Sequence, residues 1–219
     1  MRPRQFDLIA FDWDGTLFDS KAITVCCVQA AVVDVTGIMP SAQLLQDSIG
    51  LGLMQTFVHA VPNLPLKQYS VLMERYRHYC HVHQHDVVLF DGVLPMLVAL
   101  KTRHHWLTVA TGKSRQGLDK ALQVDALKGV FNGSRTADET ASKPNPLMLH
   151  ELMHEFGVAP GRTLMVGDTT HDLQMAANAG CASVGVSFSA QAPKGLQAWQ
   201  PLYVAQTVRE LHDWLDHNA

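Results

Sequence analysis

The stretch Ile9-Ala10-Phe11-Asp12-Trp13-Asp14-Gly15-Thr16-Leu17-Phe18-Asp19-Ser20 runs from an apolar strand directly into two carboxylates. Side chains alternate along an extended chain, so Asp12 and Asp14 are expected on the same side at the mouth of that strand. Two like charges side by side cost free energy unless something positive lies near them. A divalent cation answers that need, and the rest of the chain must supply its other partners.

The rhythm of the remaining sequence places these residues in a fold. From residue 86 onward, short apolar segments at 86–90, 106–110, 130–131, 162–166, 182–186 and 203–204 read as strands. Helical spacing is expected over 93–101, 115–123, 146–156, 170–179 and 207–216. Strands alternating with helices imply an α/β fold, a Rossmann-like parallel sheet with helices on both faces. Ligands in such folds lie outside the carboxyl ends of the strands. Asp12, Thr111 and Asp168 each fall where an apolar strand ends, so three polar groups far apart in sequence should converge on one rim.

Residues 17–83 read differently. Helices are expected over 21–35, 41–49, 54–59 and 66–84, with no strong strand. The division is therefore a discontinuous core of residues 1–16 and 84–219 with an inserted helical cap of residues 17–83, placed as a lid over the strand ends.

The 219 residues suffice for such a core and insert, and 47% of them are hydrophobic. A formal charge of −3 gives no electrostatic case for nucleic acid or a membrane surface. No apolar run of ~20 residues is present to span a bilayer. The first residues lack the apolar core of a signal peptide, so a cytoplasmic location is expected. Cys26, Cys27, Cys80 and Cys181 form no CxxC pair and no disulfide framework, and are expected to be buried small apolar residues.

The chemistry lies in four segments. Asp12, at a strand end, suits a nucleophile of aspartyl-phosphate type. Asp14 is placed to give a proton to a leaving group and later to activate water. Gly15 lets the backbone turn close to a ligand, and Thr16 can donate a hydrogen bond there. Thr111 and Gly112 follow the strand "WLTVA" and offer a hydroxyl and backbone N–H groups to an anion. Lys143, in "SKP", is a point positive charge suited to holding phosphate against a carboxylate. Asp168 and Asp172, in "GDTTHD", add hard oxygen ligands suited to Mg2+.

Taken in order, "DWDGT", "ATG", "SKP" and "GDTTHD" make the chain resemble a haloacid dehalogenase-superfamily hydrolase, of the subgroup (subfamily IA) with a helical cap after the first strand. The resemblance implies that Asp12 attacks phosphorus, that Asp14 is the general acid/base with its backbone carbonyl on Mg2+, and that Thr111, Gly112 and Lys143 hold the phosphoryl group. It implies Asp12, Asp14 and Asp168 as the metal set, with Asp172 supporting it. Among capped members the chain most resembles phosphoglycolate phosphatases. "FDWDGTLFDS", "ADETASKPNP" and "VGDTTHDLQMAANAG" carry that likeness. The expected activity is Mg2+-dependent hydrolysis of a small phosphorylated metabolite, by a monomer or homodimer. The alternatives are a phosphomutase of the β-phosphoglucomutase type and a pyrophosphate or nucleotide phosphohydrolase. A binding protein on an inactive scaffold is disfavoured, because Asp12 and Asp14 are both kept.

Specificity is expected in the cap, around residues 48–53, where no basic residue stands ready for a substrate carboxylate. Lys113 either adds charge to the site or is merely exposed. Trp13 should face away from the aspartates into the core. His78, His81, His83 and His85 suit a polar surface better than a zinc site.

Overall fold

A computed structural model describes residues 5–48, 51–83, 87–188 and 195–219. Its centre is a six-stranded parallel sheet built from β1 (Leu8–Phe11), β4 (Trp106–Thr111), β5 (Gly133–Thr136), β6 (Thr163–Gly167), β7 (Ala182–Val186) and β8 (Tyr203–Ala205), in the order β5-β4-β1-β6-β7-β8. The chain moves outward from β1 through β4 to β5, returns across β1 to β6, and moves outward again. This reversal brackets β1, and it is the point at which doubly wound sheets bind their ligands.

β1 is buried at every position, as a strand covered on both faces must be. Its alternation splits the core. Ile9 and Phe11 face a cluster with Met96, Leu97 and Leu100 of α5 (Val93–Thr102) and Leu211 and Leu215 of α9 (Val208–Asn218). Leu8 and Ala10 face Met148, Leu149 and Leu152 of α7 (Leu147–Phe156) and Met175 and Ala176 of α8 (Thr170–Asn178). Trp13 joins the first cluster, 1% exposed and stacked on Phe18, as expected.

Between β1 and β4 lie α1 (Lys21–Thr36), α2 (Ala42–Ser48), α3 (Leu53–Ala60) and α4 (Leu66–Val82), with their own core of Val25, Val28, Val32, Leu45, Phe57, Tyr69 and Leu72. α1 ends at Gly37, whose φ of 71° closes the helix in the left-handed conformation.

The structure corrects the sequence reading at two places. The strand expected at Val130 and Phe131 is instead Gly133–Thr136, and the two apolar residues pack against the core. This edge strand reads "GSRT" and carries polar side chains, so an apolar scan passes over it. Arg135 there pairs with Glu151 at 2.6 Å and Glu155 at 2.9 Å on α7. The segment read as purely helical opens with a two-residue strand, β2 (Phe18–Asp19), paired antiparallel with β3 (Val88–Leu89). Leu17 and Phe18 belong to the sheet's core cluster. Ile49 and Gly50 of the loop expected to set specificity, His85 of the histidine run and Asp86 at the start of an expected strand lie outside the described residues.

Candidate active site

The carboxyl ends of β1, β4 and β6 bring Asp12, Thr111 and Asp168 to one rim, as the strand pattern implied. Asp12 follows β1 directly, and its N–H donates to the Val166 carbonyl at 2.9 Å, which ties it to β6. The chain then turns sharply. Gly15, with φ of 84°, donates to the Phe18 carbonyl at 2.8 Å. A side chain at Gly15 would collide with Asp168 and Lys21, so only glycine admits so close an approach.

Three carboxylates meet there. Oxygens of Asp12, Asp168 and Asp172 lie within 4.8 Å of one another, all buried. Asp172 stands in the first turn of α8. Its Oδ2 accepts from the Thr169 N–H at 3.0 Å and the Thr169 hydroxyl at 2.7 Å, closing a capping box. Its Oδ1 is held by Lys143 Nζ at 2.6 Å. Capping the helix and facing the site are thus both its work. Lys143, fully buried in the loop after β5, reaches Asp12 Oδ1 at 2.6 Å as well.

Asp14 does not share this cluster through its carboxylate. The sharp turn after Asp12 breaks the extended alternation that would have set the two side chains together. Asp14 Oδ1 accepts from the Ser20 hydroxyl at 2.5 Å, and Oδ2 lies 3.0 Å from Lys113 Nζ. Ser20 occupies the N-cap position of α1 yet makes no side-chain cap bond, since its hydroxyl is given to Asp14. The charge of Asp14 is therefore met by Lys113, and the question left open for that lysine is answered by its ion pair.

Lys21 was not singled out by sequence reasoning. It begins α1, is 3% exposed, and pairs with Asp168, which also accepts from the Thr16 hydroxyl at 3.2 Å. The signal for it was a lysine in the first helical turn, where the helix dipole disfavours a cation unless an acid faces it.

The electrostatics follow from burial. Burial pushes the Asp12 carboxyl up from 3.8 to about 8, opposed by Lys143 and reinforced by Asp172 and Asp168. Burial likewise raises Asp168, against the pull of Lys21. For Lys143, burial alone would lower the value, but Asp12 and then Asp172 hold it above the ordinary lysine range. Three buried carboxyl groups share two ammonium groups, so their joint ionisation is disfavoured, and a further cation among them would favour it.

A cavity of about 590 Å3 opens above this rim. Its floor includes Asp12, Asp14, Thr111, Gly112 and Lys113, and its upper wall is made by Ile23, Thr24 and Val28 of α1 and Met73, Tyr76, Arg77 and Cys80 of α4. Of the histidine run, His81 lines the cavity and His78 packs edge-on against Tyr79. Among the described residues the histidines form no metal-binding group.

A family model described as haloacid dehalogenase-like hydrolase matches residues 9–186. The chain belongs to that family. The relatives of this hydrolase include "Probable phosphatase IndB" of Dickeya dadantii (strain 3937), 32% identical over 211 residues, with 93% of this chain and 91% of the relative covered. A phosphoglycolate phosphatase of Vibrio vulnificus (strain YJ016) is 29% identical, with 97% of each covered. Pyrophosphatase PpaX of Bacillus mycoides (strain KBAB4) is 25% identical over 94% of this chain and 95% of its own. Among solved structures, one described as a predicted phosphoglycolate phosphatase from Haemophilus somnus 129PT superposes with a TM-score of 0.84 at 25% identity, covering 95% of the hydrolase and 97% of that chain. No helix among the described residues is long and apolar enough to cross a membrane.

Proposed function

We propose that the chain is a Mg2+-dependent phosphatase that hydrolyses a small phosphomonoester through an aspartyl-phosphate on Asp12. The observation that carries this reading is the buried Asp12–Lys143–Asp172 array at the mouth of β1, facing a cavity with Asp14 beside it.

In this reading an Asp12 oxygen attacks phosphorus while the ester P–O bond breaks and Asp14 gives its proton to the leaving oxygen. Water then attacks the acyl phosphate, Asp14 takes its proton, and inorganic phosphate leaves with Asp12 restored. Lys143 holds a phosphoryl oxygen and steadies Asp12. Thr111 and the backbone at Gly112 take up the remaining oxygens. Ser20 and Lys113 keep Asp14 in place between the two proton transfers.

The donor set fits a hard divalent cation: three buried carboxyl groups face only two lysines, and a cation among them would favour their ionised forms. Asp12 and Asp168 would hold Mg2+ together with the Asp14 carbonyl, and Asp172 would support them. When bound, the ion supplies neutralisation of the phosphoryl charge, the larger part of what phosphoryl transfer requires.

Residues 17–83 are proposed to act as the cap over a core of residues 1–16 and 84–219, with Leu17 and Phe18 anchoring the junction in the core. The separate helical cluster around Val28 and Leu72 supports this division. Substrate choice would then lie in the cavity wall. The loop at 48–53 offers no cation, but Arg77 of α4 and Lys120 of α6 (Arg115–Ala121) both line the cavity. They suit a second anionic group on the substrate, as in a phosphoglycolate-like acid. Arg77 escaped the sequence reading because it lies on another helix, brought to the site only by packing.

The test is phosphate release from a panel of phosphoglycolate, sugar phosphates, nucleotides and pyrophosphate in Mg2+, with Asp12→Asn as control. Release that is abolished by the variant and by EDTA is expected. Isomerised sugar phosphates without release would move the chain to the mutases.

A further inference from the structure

The floor of the catalytic cavity is charged, but much of its wall is apolar, and the chemistry at Asp12 gives that wall no role. We propose, resting on the phosphatase reading, that the substrate is a phosphomonoester whose alcohol carries an apolar, ring-sized body as well as a second anionic group. A two-carbon acid such as phosphoglycolate, and pyrophosphate, are then poor substrates.

The wall is built from the inserted helices and from the segment after α6. Ile23 and Val28 of α1, Leu53 of α3, Met73 and Tyr76 of α4, and Val124 all line the cavity that holds Asp12 and Asp14. Leu53, Met73 and Tyr76 lie at the edge of the helical core and are only partly buried by it. Ile23 is half-buried, and Val124 is 46% exposed. The helices therefore leave apolar surface uncovered inside the cavity. A ligand that covers such surface gains free energy in proportion to the area removed from water.

Size points the same way. The cavity holds about 590 Å3. Even at the roughly 30 Å3 of a liquid water for each non-hydrogen atom, phosphoglycolate fills less than about half of such a space. Movement of the helices toward the rim would shrink the space, but the lining would stay apolar. Pyrophosphate, of similar size, would set a charged leaving group against that lining and lose water without gaining partners there.

The free charges fit a second anion on the same molecule. Lys113 lines the cavity but is held by Asp14 at 3.0 Å. Arg77 and Lys120 line it too, and neither has an ion-pair partner among the described residues. Met73, Tyr76 and Arg77 stand at i, i+3 and i+4 of α4, so apolar wall and free cation come from one helix face. An apolar lining with a few placed polar groups is the usual make-up of a site for an organic ligand.

The test compares kcat/KM of the full chain in Mg2+ for 4-carboxybenzyl phosphate, phosphoglycolate and pyrophosphate. The first two both release an alcohol and both carry a carboxylate, so the ring is the main difference between them. 4-Carboxybenzyl phosphate should lead each of the others by at least about tenfold, since even one methylene in a matched pocket is worth about 10–200-fold. In Ile23→Ser and Met73→Ser its lead over phosphoglycolate should fall toward one. That ratio separates lost recognition from partial unfolding, which lowers both rates alike. Phosphoglycolate or pyrophosphate turned over as fast as 4-carboxybenzyl phosphate would overturn the proposal, and so would a lead unchanged in both variants. Release from none of the three would remove the phosphatase reading instead, and calorimetry would then decide the cavity. 2-(4-Carboxyphenyl)ethylphosphonate should bind more tightly than 3-phosphonopropionate, with a more negative heat-capacity change. Equal affinities would overturn the proposal.

Discussion

Lys113 Nζ lies 3.0 Å from Asp14 Oδ2, while Lys143 Nζ lies 2.6 Å from Asp12 Oδ1. Each of the two aspartates after β1 therefore has its own lysine. Asp12 is locked by a lysine that is itself buried, while Asp14 is steadied by one that lines the cavity. This division suits one carboxylate that must attack and one that must exchange protons with whatever enters.

Replacing Lys113 by Met should leave the fold intact and lower kcat by about 10- to 10²-fold, part of the 10²–10⁴-fold that positioned proton transfer supplies. Steady-state kinetics on a phosphomonoester would show it. An unchanged kcat would mean that Ser20 alone suffices to place Asp14.

Asp12→Asn should abolish turnover, by at least about 10³-fold, as loss of a nucleophile does. Circular dichroism should show a folded chain, because Lys143 keeps Asp172 as partner. Substantial residual phosphate release would sink the nucleophile assignment.

Lys143→Met should be the most damaging of these changes to stability. It leaves Asp12 and Asp172 buried without their shared cation, and breaking such an array costs about 3–5 kcal/mol. Urea unfolding at neutral pH, in the absence of Mg2+, measures it. A midpoint equal to that of the parent chain would contradict the buried charge pairing.

The raised Asp12 carboxyl gives a pH signature. A carboxyl that sits near 8 in the folded chain against 3.8 otherwise contributes stability that is complete below about pH 4 and is lost as pH rises through about 8. Chelator-treated protein should therefore melt at progressively lower temperature across that window. Added Mg2+ should restore stability, by about 2.7 kcal/mol at a hundredfold excess over its Kd. A melting temperature in chelator that climbs across the same window would refute this.

Arg77→Ala should raise KM for substrates with a second anionic group while leaving p-nitrophenyl phosphate nearly unaffected. A parallel loss on both would assign Arg77 a role in the fold instead of in recognition.

Much of the core was legible in the sequence for a physical reason. Strands buried on both faces must be apolar throughout, so "LIAF" and "TLMVG" announce themselves, and the polar residues that interrupt them mark the rim. Asp12, Thr111 and Asp168 were found in this way, whereas Lys143 and Asp172 came from the "SKP" and "GDTTHD" segments; the structure brings Asp12, Lys143, Asp168 and Asp172 together. The polar edge strand Gly133–Thr136 was missed because it borrows its order from β4 and α7 and has no apolar pattern of its own.

The sequence by itself determined which strand ends carry charge and in what order, because burial and alternation leave local marks. Only the tertiary structure decided how those charges are neutralised. The pairs Lys21–Asp168, Lys113–Asp14 and Lys143–Asp172 join residues on different elements. Such contacts depend on how helices and loops cross in space, and no periodicity along the chain records them.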